Sequence, residues 1–166
     1  RGVVRGVDMG DVKEYALAYA QRGWKVIPLY GIGEDGNCTC RLGSECGSPG
    51  KHPFWRDWPN KASDDPEQIA HWFDQGDYNI GIVCGASNLV VIDIDDEGGE
   101  ALVLPLLESG VIDSCPQVRT RRGIHLYLSG NVPAAKLRGI DIKSGNGFVV
   151  APPSRRVDGG VYEWVA

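Results

Sequence analysis

The segment Val90-Val-Ile-Asp-Ile-Asp95 carries the most chemistry for its length. In an extended strand side chains alternate between faces, so Asp93 and Asp95 share one face with Cα atoms ~6.5–7 Å apart. Ile92 and Ile94 take the other face and anchor the strand in a core. Two carboxylates on one face repel each other unless a cation sits between them. Hard oxygen ligands of this kind suit Mg²⁺ or Mn²⁺, held by a few carboxylates together with substrate phosphates. The pattern by itself equally fits a solvated turn running on into Asp96 and Glu97. Two later segments bear on the choice. In Ile124-His-Leu-Tyr-Leu128 the aliphatic residues face one way and His125 and Tyr127 the other. In Ile140-Asp-Ile-Lys143, Asp141 and Lys143 share the face opposite Ile140 and Ile142. Taken singly, such a histidine reads as a structural residue and such an Asp-x-Lys as a surface pair. If the three strands are neighbours in one sheet, all these groups converge.

A second constellation is Cys38-Thr-Cys40, Cys46 and His52, a C-x-C-x5-C-x5-H series. Three thiolates and one imidazole complete a tetrahedral Zn²⁺ with no open position, the pattern of a structural site. Bound metal would supply folding energy that a polar loop lacks. The same residues also read as free surface thiols, or as a three-cysteine site whose fourth ligand is not His52. Lys51, beside His52, could carry charge towards nucleic acid. The other cysteines of the five, Cys84 and Cys115, lie alone in apolar surroundings. A secreted disulfide framework would show an even, dispersed set, so the clustering points to a reducing, cytoplasmic setting.

The elements that must position these groups are legible in outline. Asp11 to Arg22 reads as a helix, with Asp11 and Glu14 as a capping box and Gly23 as its stop. Lys25 to Tyr30 reads as a strand at a sheet edge, because Pro28 cannot donate a ladder bond. Residues 31–62 show no periodicity and are long for a structureless loop, which implies that something other than a core holds them. A second helix starts with Asp65 as N-cap and Pro66 in the first turn, and runs from Glu67 to Asp74. Ile80–Cys84 and Leu89–Asp95 are apolar runs separated by a Gly/Asn-containing stretch, which predicts a hairpin. Gly99 to Ser109 reads as a helix interrupted by Pro105. Strands follow at Ile124–Leu128, Ile140–Lys143 and Phe148–Ala151, the last halted by Pro152-Pro153. The order is mixed α+β rather than regular βαβ.

The 166 residues are about one domain's worth of chain. At 42% hydrophobic and 23% charged the chain can bury a core, which excludes disorder and fibre. No apolar run approaches the roughly 18 residues of a membrane span, and no charged-then-apolar leader opens the sequence. Arg1 in place of Met predicts a piece of a longer protein. The net charge of -5 hides an asymmetry: residues 1–115 balance at -10 and residues 116–166 at +5. An acidic body with a basic final third suits a cation-dependent site facing a polyanion.

An ordered series of segments then resembles the bifunctional primase–polymerase (prim-pol) domain of the archaeo-eukaryotic primase superfamily. It opens with Ala18-Tyr-Ala-Gln-Arg-Gly-Trp-Lys-Val-Ile-Pro28 and Cys46-Gly-Ser-Pro-Gly-Lys-His-Pro53, and continues through Asn79-Ile-Gly-Ile and Val91-Ile-Asp-Ile-Asp95. Gly123-Ile-His-Leu-Tyr127 follows, then Gly139-Ile-Asp-Ile-Lys-Ser-Gly-Asn-Gly-Phe-Val-Val-Ala-Pro-Pro-Ser154 and Gly160-Val-Tyr-Glu-Trp164. The resemblance implies a single α+β domain over 1–166 with the primase-polymerase fold. A catalytic sheet of the RNA-recognition-motif type (residues 89–166) would pack with a small N-terminal α/β unit (residues 11–88) bearing the zinc loop 38–52. The family's acid-x-acid motif matches Asp93 and Asp95, its small-x-His motif matches Gly123 and His125, and its third acid matches Asp141. Many relatives carry Glu at the second acid and Ser two before the histidine, so a shorter ligand and one fewer hydroxyl donor stand here.

The resemblance implies template-dependent nucleotidyl transfer, that is, primase or DNA polymerase activity on a single-stranded DNA template and primer. Asp93, Asp95 and Asp141 would hold two Mg²⁺ or Mn²⁺ ions, and Zn²⁺ would be structural. His125, Lys143 and Arg122 would bind the nucleoside triphosphate, with Tyr127 supporting a sugar or base. Arg119, Arg121, Arg138, Arg155 and Arg156 are the candidates for DNA backbone contact, a sequence-blind term. Relatives carry a fused or associated helicase, and no membrane is implied. Two other readings keep the same residues: a two-metal nuclease or phosphoesterase, and a non-catalytic zinc-stapled module that binds nucleotide or single strands.

Overall fold

The computed structural model describes residues 9–95, 97–110 and 115–165. Helix α1 (Met9–Gln21) ends where Gly23 adopts φ +80° and leads into strand β1 (Lys25–Tyr30). Because the helix already runs through Met9, Asp11 lies inside it and not at the expected cap. A long irregular stretch follows, broken by the single turn α2 (Trp58–Lys61). Helix α3 (Pro66–Phe73) starts as its sequence dictates: the Asp65 carboxylate accepts from the Glu67 N–H at 3.0 Å and Pro66 occupies the first turn. Then come β2 (Tyr78–Val83), β3 (Leu89–Ile94), α4 (Glu97–Glu108), β4 (Gln117–Arg119) and β5 (Ile124–Ser129). The short β6 (Ala135–Leu137), β7 (Ile140–Lys143), β8 (Phe148–Ala151) and β9 (Glu163–Trp164) complete the order. The architecture is mixed α+β, and all ladders among the described residues are antiparallel.

The strands form a three-stranded sheet, β1-β2-β8, and a six-stranded sheet, β6-β7-β3-β5-β4-β9. Pro28 lies on the edge strand β1, where its missing N–H costs no ladder bond. The expected hairpin between the apolar runs is not formed, because β2 and β3 belong to different sheets. Between them a tight turn at Gly85–Ser87 and Asn88 at φ 50° redirect the chain. Cys84 N–H donates to the Gly147 carbonyl at 2.9 Å and Gly85 N–H to the Gly145 carbonyl at 2.7 Å. The β2–β3 and β7–β8 connections therefore cross between the sheets side by side. A Cβ on Gly85 would sit 2.6 Å from the Gly145 carbonyl oxygen, so only glycine allows the crossing to close this tightly. The same crossing returns β8 to the first sheet, so residues 89–166 do not all remain in the second.

The main core lies between the first sheet, α1 and α3, and includes one end of the second sheet: Ile27, Ile69, Ile82, Val91 and Tyr127 are all buried there. Each fully buried aliphatic side chain of this kind contributes roughly 1.5–3 kcal/mol. A smaller cluster of Ile94, Leu126 and Ile140 meets Val103 of α4 on the opposite face of the second sheet. Pro105 falls on the exposed side of α4, away from that contact. No helix among the described residues is long and apolar enough to cross a membrane.

Candidate active site

The register of the second sheet decides which side chains meet. Asp93 of β3 lies directly opposite His125 of β5 on one side and Asp141 of β7 on the other. Directly paired antiparallel residues have Cβ atoms ~4.5–5.5 Å apart, so the three form one row on one face. The next rung on that face is Lys143–Val91–Tyr127. Along β3 this face runs from Leu89 and Val91, buried in the main core, to Asp93 and then to the exposed Asp95. The core thus ends where the carboxylates begin, and the cleft opens at that rung.

Two adjoining clefts of about 440 and 520 Å³ share Lys51, Asp93, His125 and Tyr162. The first adds Asp95, Thr120, Arg121 and Arg122; the second adds Asp141, Lys143 and Trp58. Lys143 Nζ stands 3.1 Å from Asp141 Oδ2 and 3.6 Å from Asp93 Oδ2, bridging the two acids as a cation would. His125 Nε2 approaches Asp93 Oδ1 at 3.3 Å. That approach is electrostatic, since Asp93 Oδ1 is buried without a well-aligned hydrogen bond, as is His125 Nδ1.

The electrostatics separate the paired acids. Burial opposes ionisation of Asp93, but the neighbouring His125 and Lys143 outweigh it and hold the carboxyl below its usual range. Asp95 moves the other way, raised by desolvation and then by the charge of Asp93. Burial also opposes the charge on Lys143, yet Asp93 and Asp141 raise its pKa. Tyr162, whose ring lies 6.1 Å from that of His125, is pushed up to about 12 by burial. An orphaned buried carboxylate oxygen beside a second acid driven towards its neutral form is a donor set that fits a hard divalent cation.

Gly123 owes its identity to a close approach. A Cβ there would overlap the Ile94 carbonyl oxygen, so the serine found in many relatives cannot stand on this backbone. The β4–β5 turn is closed by Thr120 N–H donating to the Gly123 carbonyl and Gly123 N–H donating to Thr120 Oγ1, both at 3.1 Å. This holds the turn residues Arg121 and Arg122 at the rim of the first cleft.

The remaining sequence candidates scatter. Tyr127 shares the face of His125, but it is 2% exposed and packs edge-on against Trp164 at 4.9 Å, so no surface is left for a sugar or base. Arg156 lines the first cleft with its guanidinium engaged: it donates to both Asp158 oxygens and to the Val161 carbonyl at 2.6 Å. That fork braces the 155–161 turn and is not free for a DNA backbone. Arg155 lines a separate small cavity beside Asp77. Arg119 is exposed near Glu163, and Arg138 is exposed in the β6–β7 turn. Arg121 pairs loosely with Asp158 at 3.5 Å. Sequence reasoning left Thr120 and Tyr162 out of the site and gave Lys51 no place in it; the series around His52 was the signal that bore on Lys51.

Cys38, Cys40, Cys46 and His52 present ligand atoms that all lie within 4.8 Å of one another. His52 Nε2 is 3.5 Å from Cys38 Sγ and 3.4 Å from Cys46 Sγ. A tetrahedral ion with Zn–S near 2.3 Å and Zn–N near 2.0–2.1 Å requires S···N edges of about 3.5 Å, so the cluster fits zinc. For the Cys40 thiol, burial acts upward, but the Leu42 N–H and the other three ligands together bring it down to about 6. Burial and the nearby thiols push Cys46 up to about 11. Thiols held this close oppose one another's ionisation, and a bound cation would offset that repulsion. The loop is fastened to the first sheet by Tyr30 N–H donating to the His52 carbonyl at 3.0 Å and by the His52 ring on Tyr30 at 4.8 Å.

Compared with known families, residues 16–166 match the family described as bifunctional DNA primase/polymerase, N-terminal. No curated protein matches the chain.

Proposed function

The chain belongs to the bifunctional DNA primase/polymerase N-terminal family, and on that premise we propose that it catalyses template-dependent nucleotidyl transfer with the primase-polymerase fold. The observation that carries the reading is the row Asp141–Asp93–His125 at the floor of a cleft, with Lys143 between the two acids. In this reaction the primer 3′-oxygen bonds to the α-phosphorus of a nucleoside triphosphate, the bond to pyrophosphate breaks and the hydroxyl proton passes to solvent water. Little covalent work falls to the protein, so positioning and charge stabilisation dominate.

Asp93, Asp95 and Asp141 would hold two divalent ions, which when bound supply charge neutralisation at the triphosphate and activation of the hydroxyl. His125 donates to phosphate oxygen from the cleft floor. Lys143 is placed to exchange a carboxylate for a phosphate oxygen. On the turn that Gly123 closes, Arg122 would reach the triphosphate and Arg121 the single-stranded template and primer at the rim, the latter a contact whose strength falls with salt. Zinc in the Cys3His cluster is structural, since no coordination position stays open.

The test is incubation with single-stranded template, labelled nucleoside triphosphates and Mn²⁺. Template-dependent extension is expected. Shortened DNA would mean a hydrolytic enzyme, and retention without product a binding module; either outcome overturns the reading.

A further inference from the structure

Lys51 enters both clefts of the candidate site although it comes from the cysteine-bearing loop, far in sequence from every catalytic strand. Its neighbours on both sides are fixed. On one side, the Gly50 carbonyl accepts from Asn79 Nδ2 at 2.9 Å, and Asn79 is 3% exposed. Gly50 itself sits at φ +71° with no room for a Cβ against Asn79 and Ile32. On the other side, His52 is held by its carbonyl on Tyr30 and by its ring in the Cys3His cluster. Asn79 also bonds the backbone of Arg155, so one buried amide ties this loop to the segment that carries Arg156 and Tyr162. Lys51 is an exposed side chain whose flanking backbone is anchored on both sides.

The charges around the cleft show what it lacks a partner for. Lys143 is engaged by Asp93 and Asp141, and Arg121 and Arg156 by Asp158. Among the described residues Lys51 and Arg122 of this lining make no ion pair, and Lys51 alone of the two faces both clefts, which also hold Asp93 and His125. A lysine ammonium fixed at its base and left without a carboxylate is a phosphate ligand in waiting.

We propose that Lys51 binds the polyphosphate of the incoming nucleotide and that the Cys3His cluster is the device that positions it there. The inference rests on the nucleotidyl-transfer reading of the same cleft. It gives the cluster a second task beyond folding the loop, because loss of its metal releases the His52 ring, one of the anchors that flank Lys51.

The test is equilibrium binding of a fluorescent deoxynucleoside triphosphate to the whole chain in Ca²⁺, alongside binding of a labelled single-stranded oligonucleotide. Lys51→Ala should weaken the nucleotide about tenfold, the loss of one charge-assisted contact, and leave the oligonucleotide unaffected. Lys51→Arg should recover most of that loss. Zinc-stripped protein should lose part of that factor, and Lys51→Ala should then cost correspondingly less. Unchanged nucleotide affinity in Lys51→Ala, or a loss confined to the oligonucleotide, overturns the phosphate assignment. Full nucleotide affinity without zinc overturns the positioning role. Failure of the unaltered chain to bind any nucleotide would sink the underlying reading instead.

Discussion

The two neighbouring acids Asp93 and Asp95 should respond oppositely in stability while sharing one functional fate. Asp93 has a side chain 13% exposed, with Lys143 at 3.6 Å and His125 at 3.3 Å. These contacts outweigh its burial, so Asp93→Asn removes net favourable interaction. For two long charge-assisted contacts the loss is about 1–2 kcal/mol, and about 2–4 °C per kcal/mol for a chain of this size gives a Tm lower by about 2–8 °C. Asp95 carries an unfavourable charge, so Asp95→Asn removes a penalty. Its exposure screens the effect to about 0.5 kcal/mol or less, a Tm higher by about 1–2 °C. The signs with pH follow. The depressed Asp93 contributes stability above the ordinary carboxylate range, and that contribution is lost as pH falls through its folded value. The raised Asp95 imposes its cost above its folded value, and the cost disappears as pH falls towards the ordinary range. The assay is thermal melting at neutral pH without added divalent ions, then with Mn²⁺, which should raise the unaltered protein by about 2.7 kcal/mol at a hundredfold excess over Kd and neither variant by as much. Both variants should lose synthesis. If both melt lower by the same amount, or Mn²⁺ stabilises Asp93→Asn as fully as the unaltered chain, the electrostatic account of the pair is wrong.

Other consequences are simpler to check. Elemental analysis should find about one zinc per chain, and Cys46→Ser should abolish it and release hydrogen-exchange protection across residues 38–52 before the β3–β5 ladder; absence of stoichiometric zinc ends the cluster's assignment. His125→Gln should raise the nucleotide KM about tenfold with a smaller change in kcat, and an unaltered nucleotide dependence would remove it from phosphate binding. Gly123→Ser adds a side chain where the Ile94 carbonyl stands, so it should destabilise by about 1–3 kcal/mol and reduce synthesis, not improve nucleotide binding; calorimetry and primer extension decide this.

The site was more legible than the topology. Period-two alternation put Asp93, His125 and Asp141 each on the hydrophilic face of a strand, and that property is local. Which strands neighbour one another is not local. The β2–β3 connection looks like a hairpin because a turn between two apolar runs is the shortest solution on paper. The competing solution, two crossings zipped together at Gly85 and Gly145, depends on a segment about sixty residues downstream and leaves no periodic trace. Three-residue strands such as β4 and β6 were missed for a related reason: too short to show alternation, they exist because a longer strand offers an open edge. Tyr127 shows the limit of face assignment. It shares a face with His125, but one rung decides whether that face is cleft or core.

The charge asymmetry along the sequence also changes meaning in three dimensions. Read linearly, an acidic body precedes a basic final third. In the sheet order β7-β3-β5 the acidic strand β3 lies between two strands of the basic third, so the excesses interleave instead of separating. Asp93 and Asp95 arrive from one part of the chain, and Lys143, Arg121 and Arg122 from the other. Acidic and basic groups therefore share one cleft without a matching imbalance in either charge, the arrangement that the proposed metal-bound polyphosphate would need. Lys51 is the exception, a cation from the acidic part of the chain carried to the same place by a different anchor.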